Sequence, residues 1–458
     1  MRIVLLSGGS GKRLWPLSNE VRSKAFLKLL RSPDGGMESM IQRICRGLEQ
    51  AGLLGRCCIV THHSQVEITR HHIGGDIPVL GEPQKRGTFT AIALAAAYLH
   101  SVAGAELDET VIVMPVDSFV EPSFFELLQR MPAALADSGA DMALLGTVPR
   151  FPSDAFGYIV PKSGYPAGSY AEVGSFVEKP DKANAEILIS QGALWNCGVF
   201  ACSLRYLLSC MADRGIQPLY KGLLNRYDSM PQESFDREVA EQTQRAVVLP
   251  YDGMWNDLGN WNELTRYLLS RSLGKGKISE DSAGTHLVNE LAIPIHVVGA
   301  PGLIVAASLD GILVAGKSAA SRIKSELEAG ASFPMYEEKR WGSISILDIS
   351  RSDGDRETVI SKIRMLPGKH TSYHRHRSVI EAWTIISGSG EYALDGKIHS
   401  LSEGDSIIIP PGIPHGIKAL TLLEFIQVES GATPVKEDIV RMPPVLGWNI
   451  PDKKDGRK

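Results

Sequence analysis

Three glycines and three cations near the start of the chain have a spacing suited to phosphate chemistry. The stretch Val4-Leu5-Leu6-Ser7-Gly8-Gly9-Ser10-Gly11-Lys12-Arg13-Leu14-Trp15-Pro16-Leu17 is entered through an apolar run, Ile3 to Leu6, that reads as a buried strand. The run stops at Ser7, and Gly8, Gly9 and Gly11 follow. Glycine permits positive φ and close backbone approach, so the N–H groups of such a loop can converge on an anion. Lys12 and Arg13 come next, and Lys24 adds a third cation. Strand, glycine loop and fixed positive charge together make a polyphosphate site. The plainer alternative is a glycine turn beside chance basic residues. Two other glycine-loop readings fail. A P-loop needs Gly where Leu6 stands and Ser or Thr where Arg13 stands. The dinucleotide fingerprint needs Gly at Leu14, and Pro16 blocks an immediate helix. Further on, Pro115-Val116-Asp117-Ser118 puts a carboxylate just past another apolar run. A nucleoside triphosphate reacts as its magnesium complex, and Mg²⁺ takes one or two carboxylates plus phosphate oxygens. Asp117 suits that task, and capping a following helix is its alternative.

A second constellation lies in the last third of the chain. His374 and His376 are two residues apart, so on a strand both rings face one side. Gly368, His374, His376, Glu381 and Gly388 keep the intervals of the first cupin motif, and Gly404, Pro410, Gly412 and His415 keep those of the second. The second motif usually ends in Asn, where this chain has Ala419. Three imidazoles (His374, His376, His415) and the Glu381 carboxylate make a mixed N/O set suited to Zn, Mn, Fe or Ni. Isolated strand histidines are more often structural, and it is the double spacing that favours a metal.

The elements that must position these groups can be read from pattern. Met37, Met40, Ile41, Ile44, Cys45 and Leu48 recur at helical spacing up to Gly52. Cys57–Val60, Thr110–Met114 and Met142–Leu145 read as strands, and Thr90–Leu99 as an Ala/Leu-rich helix. Strands alternating with helices predict an α/β domain with a mainly parallel sheet, whose ligands lie at the carboxyl ends of strands. Short β-rich runs with glycines fill about Leu287 to Val314, and Glu326 to Ser332 reads as a charged linker. The expected organisation is an α/β Rossmann-like domain over 1–265, a β-rich connector over 266–332 and a C-terminal β-barrel over 333–458.

Composition narrows the class. The chain has 458 residues, 43% hydrophobic and 22% charged, as in ordinary globular proteins. Its net charge of −4 argues against nonspecific binding to nucleic acid. No signal peptide is read at the start, and no apolar run reaches the roughly 18 residues of a membrane span. The six cysteines form no C-x-x-C pair, which fits reduced thiols in a cytoplasmic protein.

The pattern L-S-G-G-x-G-x-R-L-x-P-L-S, with a later Lys, resembles the signature of the sugar-nucleotide pyrophosphorylases, and its Trp15 variant resembles the mannose-1-phosphate guanylyltransferases. The resemblance continues in order to about residue 265. It implies that Arg13 and Lys24 hold the triphosphate, and that Asp257 in Trp255-Asn256-Asp257 joins Asp117 at Mg²⁺. Glu82-Pro83-Gln84-Lys85-Arg86-Gly87-Thr88 resembles the loop that contacts the base, so Glu82 and Thr88 join Gly8, Gly9 and Gly11 as nucleotide contacts. The family has Asn where this chain has Gly87, and Ala-Pro where it has Phe89-Thr90. Phe156-Gly157-Tyr158, Val177-Glu178-Lys179-Pro180 and Trp195-Asn196-Cys197-Gly198 resemble the segments around the sugar phosphate, which makes Gly157, Glu178, Lys179 and Asn196 substrate residues.

The implied reaction joins GTP and mannose 1-phosphate, with a homo-oligomer expected and neither nucleic acid nor membrane as partner. It needs no protein nucleophile, because the sugar phosphate supplies the attacking oxygen. Another nucleotide or sugar, or a non-catalytic sugar-nucleotide-binding regulator, stays open. The cupin resembles a type II mannose-6-phosphate isomerase, with departures. Arg340-Trp341-Gly342 lacks the Pro of R-P-W-G. Ser372 replaces Gln, two residues are inserted before Glu381, and Ala382 replaces His, while Arg377 is kept. Isomerase, another metal enzyme, and a sensing or dimerisation domain are the options for it.

Overall fold

The computed structural model of the chain describes residues 1–9, 12–75, 77–162, 169–327, 333–352, 356–432, 435 and 438–443. It divides into two compact units. One comprises Met1–Val288, Pro294–Ala306 and Leu313–Ala329, and the other Asn289–Ile293, Ala307–Ile312 and Gly330–Lys458.

The first unit is built on a nine-stranded sheet. Across it run Val79–Glu82, Cys57–His62, Arg2–Leu6, Thr110–Pro115, Leu194–Ser203, Met142–Thr147, Ala246–Tyr251, Ala171–Glu178 and Gly157–Pro161. The first four are mutually parallel, and Met142–Thr147 is parallel to Ala246–Tyr251. Leu194–Ser203 lies antiparallel between these groups, so both groups run the same way. The far edge is antiparallel.

The first strand shows why the sheet is buried on both faces. Ile3, Val4 and Leu5 have no exposed surface. Val4 packs into the core beneath the helix Gly87–Ser101, whereas Ile3 and Leu5 face the opposite core with Met40–Gln50 and Ser123–Ser138. This period-two partition lets a continuous apolar run serve two layers.

The helix read from Met37 starts later, at Met40. Ser39 accepts the Gln42 N–H while the Gln42 side chain returns to the Ser39 N–H, a reciprocal cap that such ends gain about 1 kcal/mol from. Met37–Glu38 pairs instead with Leu30–Arg31 as a short hairpin.

A third core holds the site's flanks together. Leu14, Leu17, Leu27, Leu258, Trp261 and Leu264 pack in one cluster. Within it, the Trp261 indole N–H donates to the Trp15 carbonyl at 3.1 Å. The exit of the glycine loop is thereby tied to the segment that follows Asp257. Strands at Ser272–Gly274, Gly276–Ile278, His286–Asn289, Ile295–Val297, Leu303–Ser308 and Gly311–Gly316 account for the β-rich text of the connector. The linker read over Glu326 to Ser332 falls mostly outside the described residues.

In the second unit, two antiparallel sheets form the barrel. One runs Tyr336–Lys339, Gly342–Ser352, Arg356–Met365, Leu423–Ala432, Ile380–Ser387 and Ser406–Ile409. The other runs Lys397–Ser402, Ser389–Leu394, His415–Ala419, His374–His376 and Ile439–Arg441. Met365, Trp383, Ile385, Leu401, Leu423 and Phe425 fill the space between them. All six cysteines are free and buried, all in the first unit. Among the described residues no helix is long and apolar enough to cross a membrane.

Candidate active site and metal centre

The glycine loop leaves the sheet at Leu6, which pairs with Pro115 on the neighbouring parallel strand. Asp117 follows directly. A short antiparallel pairing, Ser118–Val120 with Trp255–Asp257, sets Asp257 opposite Ser118 and so beside Asp117. Ser7, Gly8, Gly9, Arg13, Lys24, Asp117 and Asp257 all line one cavity of about 230 Å³. Gly11 lies outside the described residues.

Lys24 Nζ stands 2.9 Å from Asp117 Oδ2 and 2.5 Å from Asp257 Oδ1. Burial alone would lower its pKa, but the two carboxylates outweigh burial and hold it well above the usual lysine range. Two carboxylates converging on one cation are the oxygen donor set that a hard divalent ion takes, with phosphate oxygens completing its shell. Asp117 and Asp257 thus fit Mg²⁺, and Lys24 supplies the cation they hold here. Ser7 Oγ, on a residue 2% exposed, has no hydrogen-bond partner and lines the same cavity.

The loop from Glu82 to Thr88 is engaged with a segment that the sequence did not single out. Glu82 is 6% exposed, and its Oε1 accepts the Tyr227 hydroxyl at 2.7 Å. Burial raises the Glu82 pKa, and the Tyr227 bond works against that rise. Thr88 Oγ1 accepts the Phe235 N–H at 2.8 Å, and the Thr90 hydroxyl donates to the Pro231 carbonyl at 2.7 Å. Neither Glu82 nor Thr88 lines the phosphate cavity. Gly87 has φ +83°, and a Cβ there would meet the Glu233 carbonyl oxygen at 2.3 Å. The close passage of Glu233 leaves room only for glycine at this position.

Away from the phosphate cavity's lining, Gly157 pairs with Glu178 across adjacent strands. A Cβ on Gly157 would lie 2.6 Å from Glu178 Oε2 and 3.4 Å from Asn196 Cβ, so glycine is what lets these side chains close in. Glu178 donates its N–H to Glu241 Oε1 at 2.8 Å, and its Oε1 is paired with Lys179. Lys179 has φ +50°, a strained conformation for a non-glycine residue, of the kind that collects at functional sites. Asn196 Nδ2 donates to Asp236 Oδ1 at 2.9 Å. Gly157, Glu178 and Asn196 are therefore together, with Lys179 beside them. Asp236, Glu241 and Tyr227 were missed. Ser234 ahead of Asp236 is a readable helix-cap signal, but nothing in its spacing points to Asn196.

In the barrel, His374 pairs directly with His415 on the neighbouring strand, and Glu381 comes from the facing sheet. Ligand atoms of His374, His376, Glu381 and His415 all lie within 4.8 Å of one another. His374 Nδ1 contacts the Ser372 carbonyl at 2.8 Å and His415 Nδ1 the Ile413 carbonyl at 2.9 Å. Those contacts put a proton on Nδ1 of both rings and turn Nε2 toward the cluster, the usual way an outer hydrogen bond orients a ligand. The Trp383 indole N–H donates to Glu381 Oε1 at 2.6 Å, while Glu381 Oε2 lies 2.8 Å from His415 Nε2. His376 Nε2 is 3.1 Å from Glu381 Oε2, an ion-pair distance, while its Nδ1 has no hydrogen-bond partner although the residue is 2% exposed. Burial, then His415, lowers the His374 pKa to about 4. Burial would lower that of His376 too, but Glu381 and Glu429 raise it. Burial would raise that of Glu381, yet His376 and His415 hold it well below the carboxylate range. Three imidazoles and a carboxylate whose ligand atoms converge within 4.8 Å, one imidazole with a buried Nδ1 that has no hydrogen-bond partner, fit a transition metal.

Known proteins match at both sites. Residues 2–270 match the nucleotidyl transferase family, and residues 361–428 match the cupin domain. The chain belongs to the nucleotidyl transferase family. Its full-length relatives place it among the mannose-1-phosphate guanylyltransferases, and its own residues 361–428 carry the cupin domain. The xanthan biosynthesis protein XanB of Xanthomonas campestris pv. campestris is 31% identical, over 97% of this chain and 98% of that one. The alginate biosynthesis protein AlgA of Pseudomonas aeruginosa is 30% identical, over 97% and 96%. The mannose-1-phosphate guanylyltransferase of Escherichia coli K12 is 29% identical, over 96% and 97%. The crystal structure of a mannose-1-phosphate geranyltransferase from Thermus thermophilus has a TM-score of 0.60 at 29% identity, covering 71% of this chain and 98% of that chain.

Proposed function

We propose that this nucleotidyl transferase makes GDP-mannose and pyrophosphate from GTP and mannose 1-phosphate. The observation that carries the reading is the convergence of Gly8, Gly9, Arg13, Lys24, Asp117 and Asp257 on one cavity. The patch of Gly157, Glu178, Lys179 and Asn196 is the proposed seat of the sugar phosphate. A sugar 1-phosphate is largely dianionic at neutral pH, its second pKa being about 6. Its oxygen attacks the α-phosphorus of GTP and forms a new P–O bond. The bond from that phosphorus to the bridging oxygen breaks, and pyrophosphate leaves with the electron pair. Arg13 and the backbone of the glycine loop bind and orient the triphosphate, and Lys179 orients the sugar phosphate. Lys24 holds Asp117 and Asp257 side by side. Mg²⁺ on these two carboxylates would neutralise developing charge, and catalysis here is positioning plus electrostatics. The test is pyrophosphate release over a grid of four nucleoside triphosphates and several sugar 1-phosphates. GTP with mannose 1-phosphate should stand out. Another preferred pair would move the specificity and keep the chemistry, and no release from any pair would leave a sugar-nucleotide-binding regulator.

For the barrel, the second reading is a metal-dependent isomerase that interconverts fructose 6-phosphate and mannose 6-phosphate. The four-ligand cluster favours it. His374, His376, Glu381 and His415 would hold the metal, a Lewis acid that polarises the sugar carbonyl. Formation of mannose 6-phosphate by the metal-loaded protein tests it.

A further inference from the structure

The sugar-side patch contains a carboxylate that the transfer chemistry does not use. Asp236 lies in the first turn of the helix Phe235–Glu238, which Ser234 caps by accepting the Arg237 N–H. The preceding residue is fixed as well, since the Phe235 N–H is bonded to Thr88 Oγ1. Asp236 Oδ1 takes one hydrogen from Asn196 Nδ2 at 2.9 Å. At the other end of the same amide, Asn196 Oδ1 takes the Gly198 N–H at 2.9 Å. A backbone N–H can satisfy only the oxygen, and an ionised carboxylate only the NH₂ group. The amide is therefore anchored at both ends in one orientation, and one N–H of Nδ2 is left over. Beside it, Glu178 presents a second carboxylate, with Oε2 close against Gly157. Burial, and then the Glu178 charge, raise the Asp236 pKa to about 6. Holding two acids in one half-buried patch is unfavourable for the free protein. Such an arrangement suits a ligand rich in hydroxyls, which donate to carboxylates and accept from an amide N–H.

We propose that Asp236 is a positioning residue for sugar recognition, locking the Asn196 amide so that its remaining N–H meets a hydroxyl of the sugar 1-phosphate. The inference rests on the reading that Gly157, Glu178, Lys179 and Asn196 form the sugar-phosphate seat.

Steady-state kinetics on the full chain test it, with GTP and mannose 1-phosphate varied in turn. Asp236→Ala should raise KM for mannose 1-phosphate about 10-fold or more and change KM for GTP less than about 2-fold. Asp236→Asn keeps a carbonyl acceptor for the Asn196 amide and should restore most of the loss. Asn196→Ala combined with Asp236→Ala should be little worse than Asn196→Ala alone, because the carboxylate acts through the amide. A role in folding alone would give neither the split between the two KM values nor this non-additivity. Should the Ala variant fail to fold, Asp236→Ser, with a shorter acceptor, takes its place in the same comparison. An unchanged KM for mannose 1-phosphate, an equal rise for GTP, or fully multiplying losses in the double variant would overturn the proposal while leaving the transferase reading intact. A wild-type protein that releases no pyrophosphate with any sugar 1-phosphate would overturn both.

Discussion

Lys24 and Asp257, 233 residues apart in sequence, meet at 2.5 Å, and Asp117 closes the other side of the same ammonium at 2.9 Å. The three side chains form one electrostatic unit. Asp117→Asn and Asp257→Asn should each lower turnover by about 10²–10³ or more, the scale of a lost charge-stabilising group, about 2.7–4 kcal/mol. The double variant should be little worse than either single one, since groups serving one ion act together. Pyrophosphate release against Mg²⁺ concentration measures this. Fully multiplying losses would mean that the two acids do not share a metal.

Arg13 lines the phosphate cavity and is exposed to solvent. Arg13→Ala should cut kcat/KM by a similar factor and leave urea unfolding within about 0.5 kcal/mol, as for most surface changes. Full activity in the folded variant would remove the glycine loop from the triphosphate site.

Tyr227→Phe tests the unexpected partner of Glu82. The substitution strips the hydroxyl from Glu82, a carboxyl 6% exposed, and an unsatisfied buried polar group costs about 1–3 kcal/mol. Urea unfolding should show that loss. A neutral result would mean that water satisfies Glu82 in place of Tyr227.

The pairing of Glu82 with Tyr227 also marks where sequence reading stops. The glycine loop, Asp117 and the two-residue spacing of His374 and His376 were legible because local order carries their chemistry. Asp257 could be placed through its Trp-Asn-Asp context, but its meeting with Asp117 depends on a three-residue pairing with Ser118–Val120 that no local pattern announces. Tyr227, Asp236 and Glu241 reach Glu82, Asn196 and Glu178 from a segment of short helical turns, where side-chain partners are set by tertiary packing. The same segment explains Gly87, a departure from the family that sequence alone could only record. Helix existence was readable, but the start at Met40 was decided by the Ser39–Gln42 cap rather than by apolar periodicity.

Asp236 gives a pH-dependent prediction about stability. Its carboxyl keeps its proton up to about pH 6 in the folded protein, against 3.8 for an unperturbed Asp. Between these values the folded state binds the proton and the unfolded state does not, so stability falls as pH rises. The stabilisation is fully present below about pH 3.8 and is lost as pH climbs through about 6. Asp236→Asn, which never ionises, should therefore gain on the wild type as pH rises from about 4 to about 7. Discounted for partial exposure, the gain is on the order of 1–2 kcal/mol. Urea unfolding of both proteins at several pH values measures it. A difference that stays flat, or runs the other way, would sink the assignment.

The barrel should bind about one transition-metal ion per chain through His374, His376, Glu381 and His415, whatever its isomerase activity. His374 is held neutral down to about pH 4, so it is ready as a ligand throughout the physiological range. His376 is held toward its protonated form by Glu381 and Glu429, so a metal must displace that proton. Binding should therefore release protons and weaken as pH falls, with His376 rather than His374 setting the dependence. Calorimetric titration of the metal-free full chain with Zn²⁺, in two buffers of different ionisation enthalpy, counts the protons. Elemental analysis beside a His374→Ala/His376→Ala variant counts the metal. Near-unit occupancy in the parent and traces in the variant are expected, with the pyrophosphate-releasing activity of the first unit retained in both. Equal trace metal in the two proteins would make these histidines structural, and the isomerase reading would fall with them. A loaded site that forms no mannose 6-phosphate from fructose 6-phosphate would keep the metal and discard the isomerase. Ala382, which stands where the family carries His, would then be the first position to restore.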